Sequence, residues 1–184
     1  MYAETTIEMT SQTESQVRSL IRDIPDYPKQ GIIFKDITPM LADPSAFAAA
    51  TREMADGFRD DGITHVVAIE SRGFILGGPV AQALGVGFLP VRKPGKLPSE
   101  TRREEYSLEY GTDALEIHAD ACSSGARVLI VDDVLATGGT AAATRRLVES
   151  LGATVAGFSF LIALGFLPGL ERLKGVKVKS VLVY

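Results

Sequence analysis

The stretch Val128 to Thr140, VLIVDDVLATGGT, gathers the residue types that could do chemistry together: the carboxylates of Asp132 and Asp133, the hydroxyls of Thr137 and Thr140, and the backbone freedom of Gly138 and Gly139. Successive N–H groups at a helix start, backed by the helix dipole and two hydroxyl donors, can wrap a phosphate dianion without any lysine. The acid pair cannot serve that phosphate. Ionised carboxylates instead accept hydrogen bonds from vicinal hydroxyls, or bind a metal ion directly or through water. A ribose 5-phosphate presents both kinds of group. The alternative is an ordinary strand-to-helix turn with incidental acids, and the joint occurrence of strand, acid pair, glycine loop and helix in this order argues against it.

These groups need elements to position them. Val128–Val131 is an apolar, β-branched run that predicts a strand covered on both faces, with the acid pair at its end and a helix over Ala141–Leu151. That end is the sheet edge at which open α/β folds bind ligands. Thr64–Ile69 predicts a second buried strand, and Phe74–Leu84 the following helix. Between them, the Glu70-Ser71-Arg72-Gly73 loop could hold pyrophosphate through its N–H groups and Arg72, or Arg72 could simply pair with Glu70. Val86–Val91 is the third strand and leads into Arg92-Lys93-Pro94-Gly95-Lys96-Leu97-Pro98, a basic loop that is either a solvated face or a lid over a polyanion. The polar run Ser99–Glu105 is expected to extend that loop. Tyr106 to Tyr110 alternates and Gly111-Thr112 turns the chain into Ala114–His118, a β-hairpin beyond the main sheet. Thr154–Leu164 and Val176–Val183 supply two more strands.

Nearer the N-terminus, Val17, Leu20, Ile21 and Ile24 predict an amphipathic helix over Ser15–Ile24. Pro25 to Pro39 should form an irregular cover or short strand, in which Phe34 either packs on the core or stacks on a flat ligand. Asp43-Pro44 starts a helix running to about Asp60, with Phe47, Met54 and Phe58 as its apolar members. The alternation of strands and helices predicts an α/β fold, a parallel twisted sheet flanked by helices.

Composition narrows the class. A chain of 184 residues suits one domain, and a net charge of -4 argues against a general nucleic-acid surface. With one Cys and two His, neither an intrachain disulfide nor a zinc cage is expected, which suits the cytoplasm. No apolar run is long enough to span a bilayer, so no membrane partner is expected, and the start lacks the pattern of a signal peptide. Residues 1–14, rich in Thr, Glu and Ser, read as a loose tail, leaving 15–184 as the domain.

The acid pair with Ala136, Thr137, Gly138, Gly139 and Thr140 resembles the phosphoribosyl pyrophosphate (PRPP) motif of the type I phosphoribosyltransferases. Further segments are similar to the adenine enzymes of that family: Asp26-Tyr27-Pro28, Gly31-Ile32-Ile33-Phe34-Lys35-Asp36, Glu70-Ser71-Arg72-Gly73-Phe74, Pro90 to Pro98 and Ser107-Leu108-Glu109-Tyr110-Gly111. The resemblance implies a type I phosphoribosyltransferase fold with a small N-terminal hood at about 25–40 and a flexible hairpin lid at about 93–111. It implies transfer of the phosphoribosyl group of PRPP to adenine N9, giving AMP and pyrophosphate in purine salvage.

Roles follow position by position. Asp132 and Asp133 would touch the ribose hydroxyls, and Ala136 to Thr140 the 5-phosphate. Ser71, Arg72, Arg92 and Lys93 would meet pyrophosphate. Phe34 would stack on adenine while the backbone of Ile33 and Lys35 reads its edge; Lys35 stands where relatives often have Arg. Glu109 becomes the general acid/base, with Tyr110 beside it. The resemblance also implies a homodimer in which Arg92 reaches the partner's site. Mg2+ is expected to act through substrate oxygens and water, with no protein ligand assigned. The rival readings are a transferase for another base, a PRPP-sensing regulator, and a dinucleotide oxidoreductase, the last lacking its Gly-x-Gly-x-x-Gly fingerprint.

Overall fold

The computed structural model describes residues 11–107 and 112–184. The chain divides into two compact units, Met1–Glu53 and Met54–Tyr184, where one domain is expected from residue 15 onward.

In the first unit, α1 (Ser11–Ser19) is followed by β1 (Arg22–Pro25) and β2 (Ile33–Asp36). The first helix starts and stops earlier than its apolar spacing predicts. Ile24 belongs to a strand instead, opposite Phe34 in an antiparallel pair, because ladder pairing with β2 outweighs its place in a helical stripe. Residues 11–14, expected in the loose tail, are helical. A short helix missed by the sequence, α2 (Thr38–Ala42), begins after Asp36, whose carboxylate accepts the Thr38 N–H at 2.9 Å and its hydroxyl at 2.8 Å. Helix α3 (Pro44–Asp56) starts where Asp43-Pro44 predicts, with Asp43 Oδ1 accepting the Ala46 N–H at 2.8 Å. Its buried stripe is Ala46, Ala50 and Met54, spaced four apart and continued by Phe58; Phe47 is only half-buried.

The second unit holds the main sheet. Its elements are β3 (His65–Ile69), α4 (Arg72–Leu84), β4 (Gly87–Val91), β5 (Thr101–Ser107), β6 (Thr112–His118), β7 (Arg127–Leu135), α5 (Gly139–Ser150), β8 (Thr154–Ala163), α6 (Gly169–Arg172) and β9 (Lys177–Val183). Five strands lie in the order β4-β3-β7-β8-β9, every neighbouring pair parallel, as the alternating pattern predicts. The core strands are apolar on both faces. Leu129, Ile130 and Val131 of β7 and Phe158, Phe160 and Leu161 of β8 are buried, with the Phe158 and Phe160 rings stacked at 6.2 Å. Successive connections leave β3 toward β4 on one side and return to β7 on the other. The loops after β3 and β7 therefore part at a topological switch point, the place where such sheets open a crevice.

Strands β5 and β6 form a separate antiparallel hairpin, joined to the end of β4 by mutual backbone hydrogen bonds between Arg92 and Glu116 of 2.9 and 2.7 Å. The hairpin begins earlier than expected. Thr101–Glu105 is strand rather than loop, because each residue pairs with the apolar β6 strand and Glu104 binds Arg146 of α5 at 2.5 Å. No helix among the described residues is long and apolar enough to cross a membrane.

Candidate active site

The site grows from the ends of β3 and β7. Strand β7 continues through the acid pair to Leu135, so Asp132 and Asp133 stand inside the strand rather than at its end. Alternation then separates them: Asp133 is buried and Asp132 half-buried. Beyond β7, Gly138 takes a φ of +78°, and a Cβ there would sit 2.9 Å from the Gly169 carbonyl oxygen. Only glycine fits that turn. The loop then enters α5 at Gly139, and Ala136 through Thr140 line a small cradle of about 80 Å³ together with Asp132 and Phe160. This is the predicted phosphate loop, with backbone amides at a helix start and no cation in its wall.

Next to it lies a cleft of about 400 Å³. Glu70, Ser71 and Arg72 form one wall, Asp132, Asp133 and Thr140 another, and Lys93 and Tyr106 a third. Ser71 is the residue before α4 and Thr140 lies in the first turn of α5, so two helix starts bring their partial positive charge to this cleft. Gly73 permits the approach of α4: a Cβ there would lie 2.8 Å from Asp132 Oδ1 and 3.3 Å from the Val131 carbonyl.

Each cation expected to meet pyrophosphate already has a carboxylate partner. Arg72 is ion-paired with Asp133. Glu70 holds two other cations, with Arg92 Nε 2.7 Å from its Oε2 and Lys96 Nζ 2.8 Å from its Oε1. Lys93 is paired with Asp113. Burial acts to raise the Glu70 carboxyl, but Lys96 and Arg92 outweigh it and hold Glu70 below the ordinary range. Asp132 moves the other way. Burial first, and then the negative charge of Asp133, push it well above an ordinary carboxylate.

The basic loop after β4 is fastened at several points. Besides the pairs on Glu70, the Gly95 N–H donates to the buried Glu116 carboxylate at 3.0 Å. Sequence reasoning missed Glu116, Tyr106 and Asp113. Their partners lie on the other side of a loop, and only the register of β5 on β6, which sets Tyr106 opposite Asp113, brings them together.

Ile33, Phe34 and Lys35 form β2 of the first unit. Phe34 meets Tyr27 edge-to-face at 5.2 Å, Lys35 is paired with Asp23 at 2.7 Å, and Ile33 is exposed. The Thr38 N–H, the Thr38 hydroxyl and Arg22 draw Asp36 down to about 2, fixing the end of this strand. Glu109 and Tyr110 lie outside the described residues.

Residues 38–181 match the model of the phosphoribosyl transferase domain family. An adenine phosphoribosyltransferase of Acaryochloris marina is 53% identical over 168 residues, 91% of this chain and 99% of that protein. The crystal structure of adenine phosphoribosyltransferase from Thermoanaerobacter pseudethanolicus superposes with a TM-score of 0.91 at 51% identity, covering 93% of this chain and 99% of the other. The Saccharomyces cerevisiae enzyme, complexed with an imino-altritol bisphosphate and adenine, gives 0.88 at 39% identity over 94% and 99%. Similarity of sequence and of fold thus extends over nearly all of the chain that carries the cleft, the cradle and β2, and the chain belongs to the phosphoribosyltransferase family, among its adenine enzymes.

Proposed function

We propose that this protein transfers the 5-phosphoribosyl group of PRPP to N9 of adenine, releasing pyrophosphate and giving AMP, a purine-salvage reaction. The observation that carries the reading is the meeting of Asp132, Asp133, the Thr137–Thr140 loop, Ser71, Arg72 and Lys93 around one cleft and its cradle. Their chemistry suits the two ends of one substrate: amides and hydroxyls for the 5-phosphate, carboxylates for the ribose hydroxyls, and cations for pyrophosphate.

As the C1–oxygen bond breaks, positive charge develops on the sugar ring and negative charge on pyrophosphate. Asp132 and Asp133 lie on the ribose side, where their negative charge favours the ring cation. Arg72 and Lys93 receive the leaving group, with Ser71 and the start of α4 adding N–H donors. Adenine N9 attacks C1 from the face opposite pyrophosphate, so the C1–N9 bond forms as the C1–oxygen bond breaks. Phe34 offers a flat face for the base, and the backbone of Ile33 and Lys35 reads its edge. Glu109, with Tyr110 beside it, exchanges a proton at N7.

Among the described residues no group of three or more His, Cys, Asp or Glu could cage a metal ion. The hard oxygens of Asp132 and Asp133 nonetheless suit Mg2+ held through water and substrate oxygens. When bound, Mg2+ neutralises charge on the departing pyrophosphate. The reading includes a cytoplasmic homodimer, with Arg92 serving the partner's site.

Asp133→Asn tests the ribose assignment. The variant should weaken ribose 5-phosphate binding, measured by calorimetry, and lower kcat as well, each about tenfold or more. Retention of both would remove the acid pair from the reaction.

A further inference from the structure

Asp113 has no part in the reaction just described, yet it is joined to that reaction's cation. Its Oδ2 pairs with Lys93 Nζ and accepts a hydrogen bond from the Tyr106 hydroxyl at 3.2 Å, while its Oδ1 accepts the Ala114 N–H at 2.8 Å. The Lys93 ammonium also reaches the Tyr106 hydroxyl at 3.5 Å and lies 5.9 Å from the centre of that ring. Lys93 and Tyr106 line the catalytic cleft; Asp113 instead lines a separate surface cavity with Pro94, Arg103 and Thr112. The lysine of the cleft wall is thus paired with a carboxylate that does not itself line that cleft.

We infer that Asp113 is a positioning residue that occupies Lys93 in the ligand-free enzyme and yields it to pyrophosphate, its carboxylate standing in for a pyrophosphate oxygen. The inference rests on Lys93 being a pyrophosphate ligand. Three features make the exchange inexpensive. The pair is partly exposed, 40% for Lys93 and 27% for Asp113, a setting in which an ion pair has modest strength. Pyrophosphate carries more negative charge than one carboxylate. After Lys93 leaves, Asp113 still accepts from Tyr106 and from the Ala114 N–H, so no buried charge is orphaned.

The test is calorimetric titration of inorganic pyrophosphate, with Mg2+ constant and in excess, into the wild-type protein, Asp113→Asn, Lys93→Met and the double variant. Removing the competing carboxylate should tighten pyrophosphate about two- to fivefold and lower the KM for PRPP similarly, leaving the KM for adenine unchanged. The kcat should not rise, because the product pyrophosphate leaves more slowly. Asp113→Glu should restore wild-type behaviour, and in the Lys93→Met background the Asn substitution should do nothing. If Lys93→Met weakens pyrophosphate while Asp113→Asn weakens it or leaves it unchanged, the stand-in role is overturned and the reading of Lys93 survives. Equal tightening in both backgrounds also overturns it, since the effect would not pass through Lys93. If Lys93→Met has no effect on pyrophosphate, the reading of Lys93 falls and the inference with it. Asp113→Ser removes the same charge and replaces the Asn variant should that one fail to fold.

Discussion

The carboxylates of Asp132 and Asp133 are neighbours in the chain but have different surroundings. Asp133 is held by Arg72, whereas burial and the charge of Asp133 push Asp132 upward. The sign of the resulting pH dependence is fixed. A carboxyl whose value is raised on folding binds its proton more tightly in the folded state, so its own contribution to stability is greatest in acid and falls as pH climbs through the ordinary carboxylate range toward the raised value. Asp132→Asn removes this burden and keeps an oxygen to accept the Asp133 N–H, a contact of 2.9 Å in the native chain. The ligand-free variant should melt a few degrees higher at neutral pH, about 2–4 °C for each 1 kcal/mol regained, and show a flatter dependence of Tm on pH. It should also bind PRPP more weakly; an unchanged Tm–pH profile would contradict the assigned shift. Glu109→Gln keeps size but not proton exchange, so kcat should fall by about 10²-fold or more while AMP affinity changes little. An unaltered kcat would assign Glu109 to structure.

Two helices bring their starts to the cleft, and their packing sets how closely they approach the acid pair. Gly73→Ala places a methyl group 2.8 Å from Asp132 Oδ1 and must displace α4 or the carboxylate. The variant should lose most of its PRPP affinity, seen as a rise of at least tenfold in KM, while circular dichroism still reports an intact α/β fold; an unchanged KM would mean that the α4 approach does not shape the site. This element logic also explains what the sequence made legible. The strand, the acid pair and the Thr-Gly-Gly-Thr turn are contiguous, so local periodicity and turn chemistry suffice to find them. The Thr101–Glu105 part of β5 is polar and carries no strand signal of its own; its extended form comes from pairing with β6. Ile24 was misplaced for the same reason, its partner Phe34 lying across a turn. The pairs Arg72 on Asp133 and Arg92 on Glu70 depend on β3, β4 and β7 lying side by side, which no local spacing encodes.

At the scale of the whole molecule, a parallel sheet with a switch point between β3 and β7 gathers the loops that line the cleft, and the loop entering α5 lines the smaller cradle. In the ligand-free protein Arg72 and Lys93 of the cleft and Arg92 and Lys96 of the basic loop are each paired with a carboxylate, Asp133, Asp113 or the shared Glu70. Substrate binding is therefore an exchange of ion pairs rather than entry into an open positive field, and the KM for PRPP should depend on salt less steeply than the number of nearby cations suggests. On the proposed reading the base is recognised by the segment around Phe34, so acceptor and donor specificity should be separable by mutation. The most direct measurement is product formation from PRPP with adenine, hypoxanthine or guanine in parallel, each with and without Mg2+. Mg2+-dependent AMP formation with adenine, and negligible product from the other two bases, is the expected result. Turnover of hypoxanthine or guanine with none of adenine, or no product from any base in folded protein, would contradict the account.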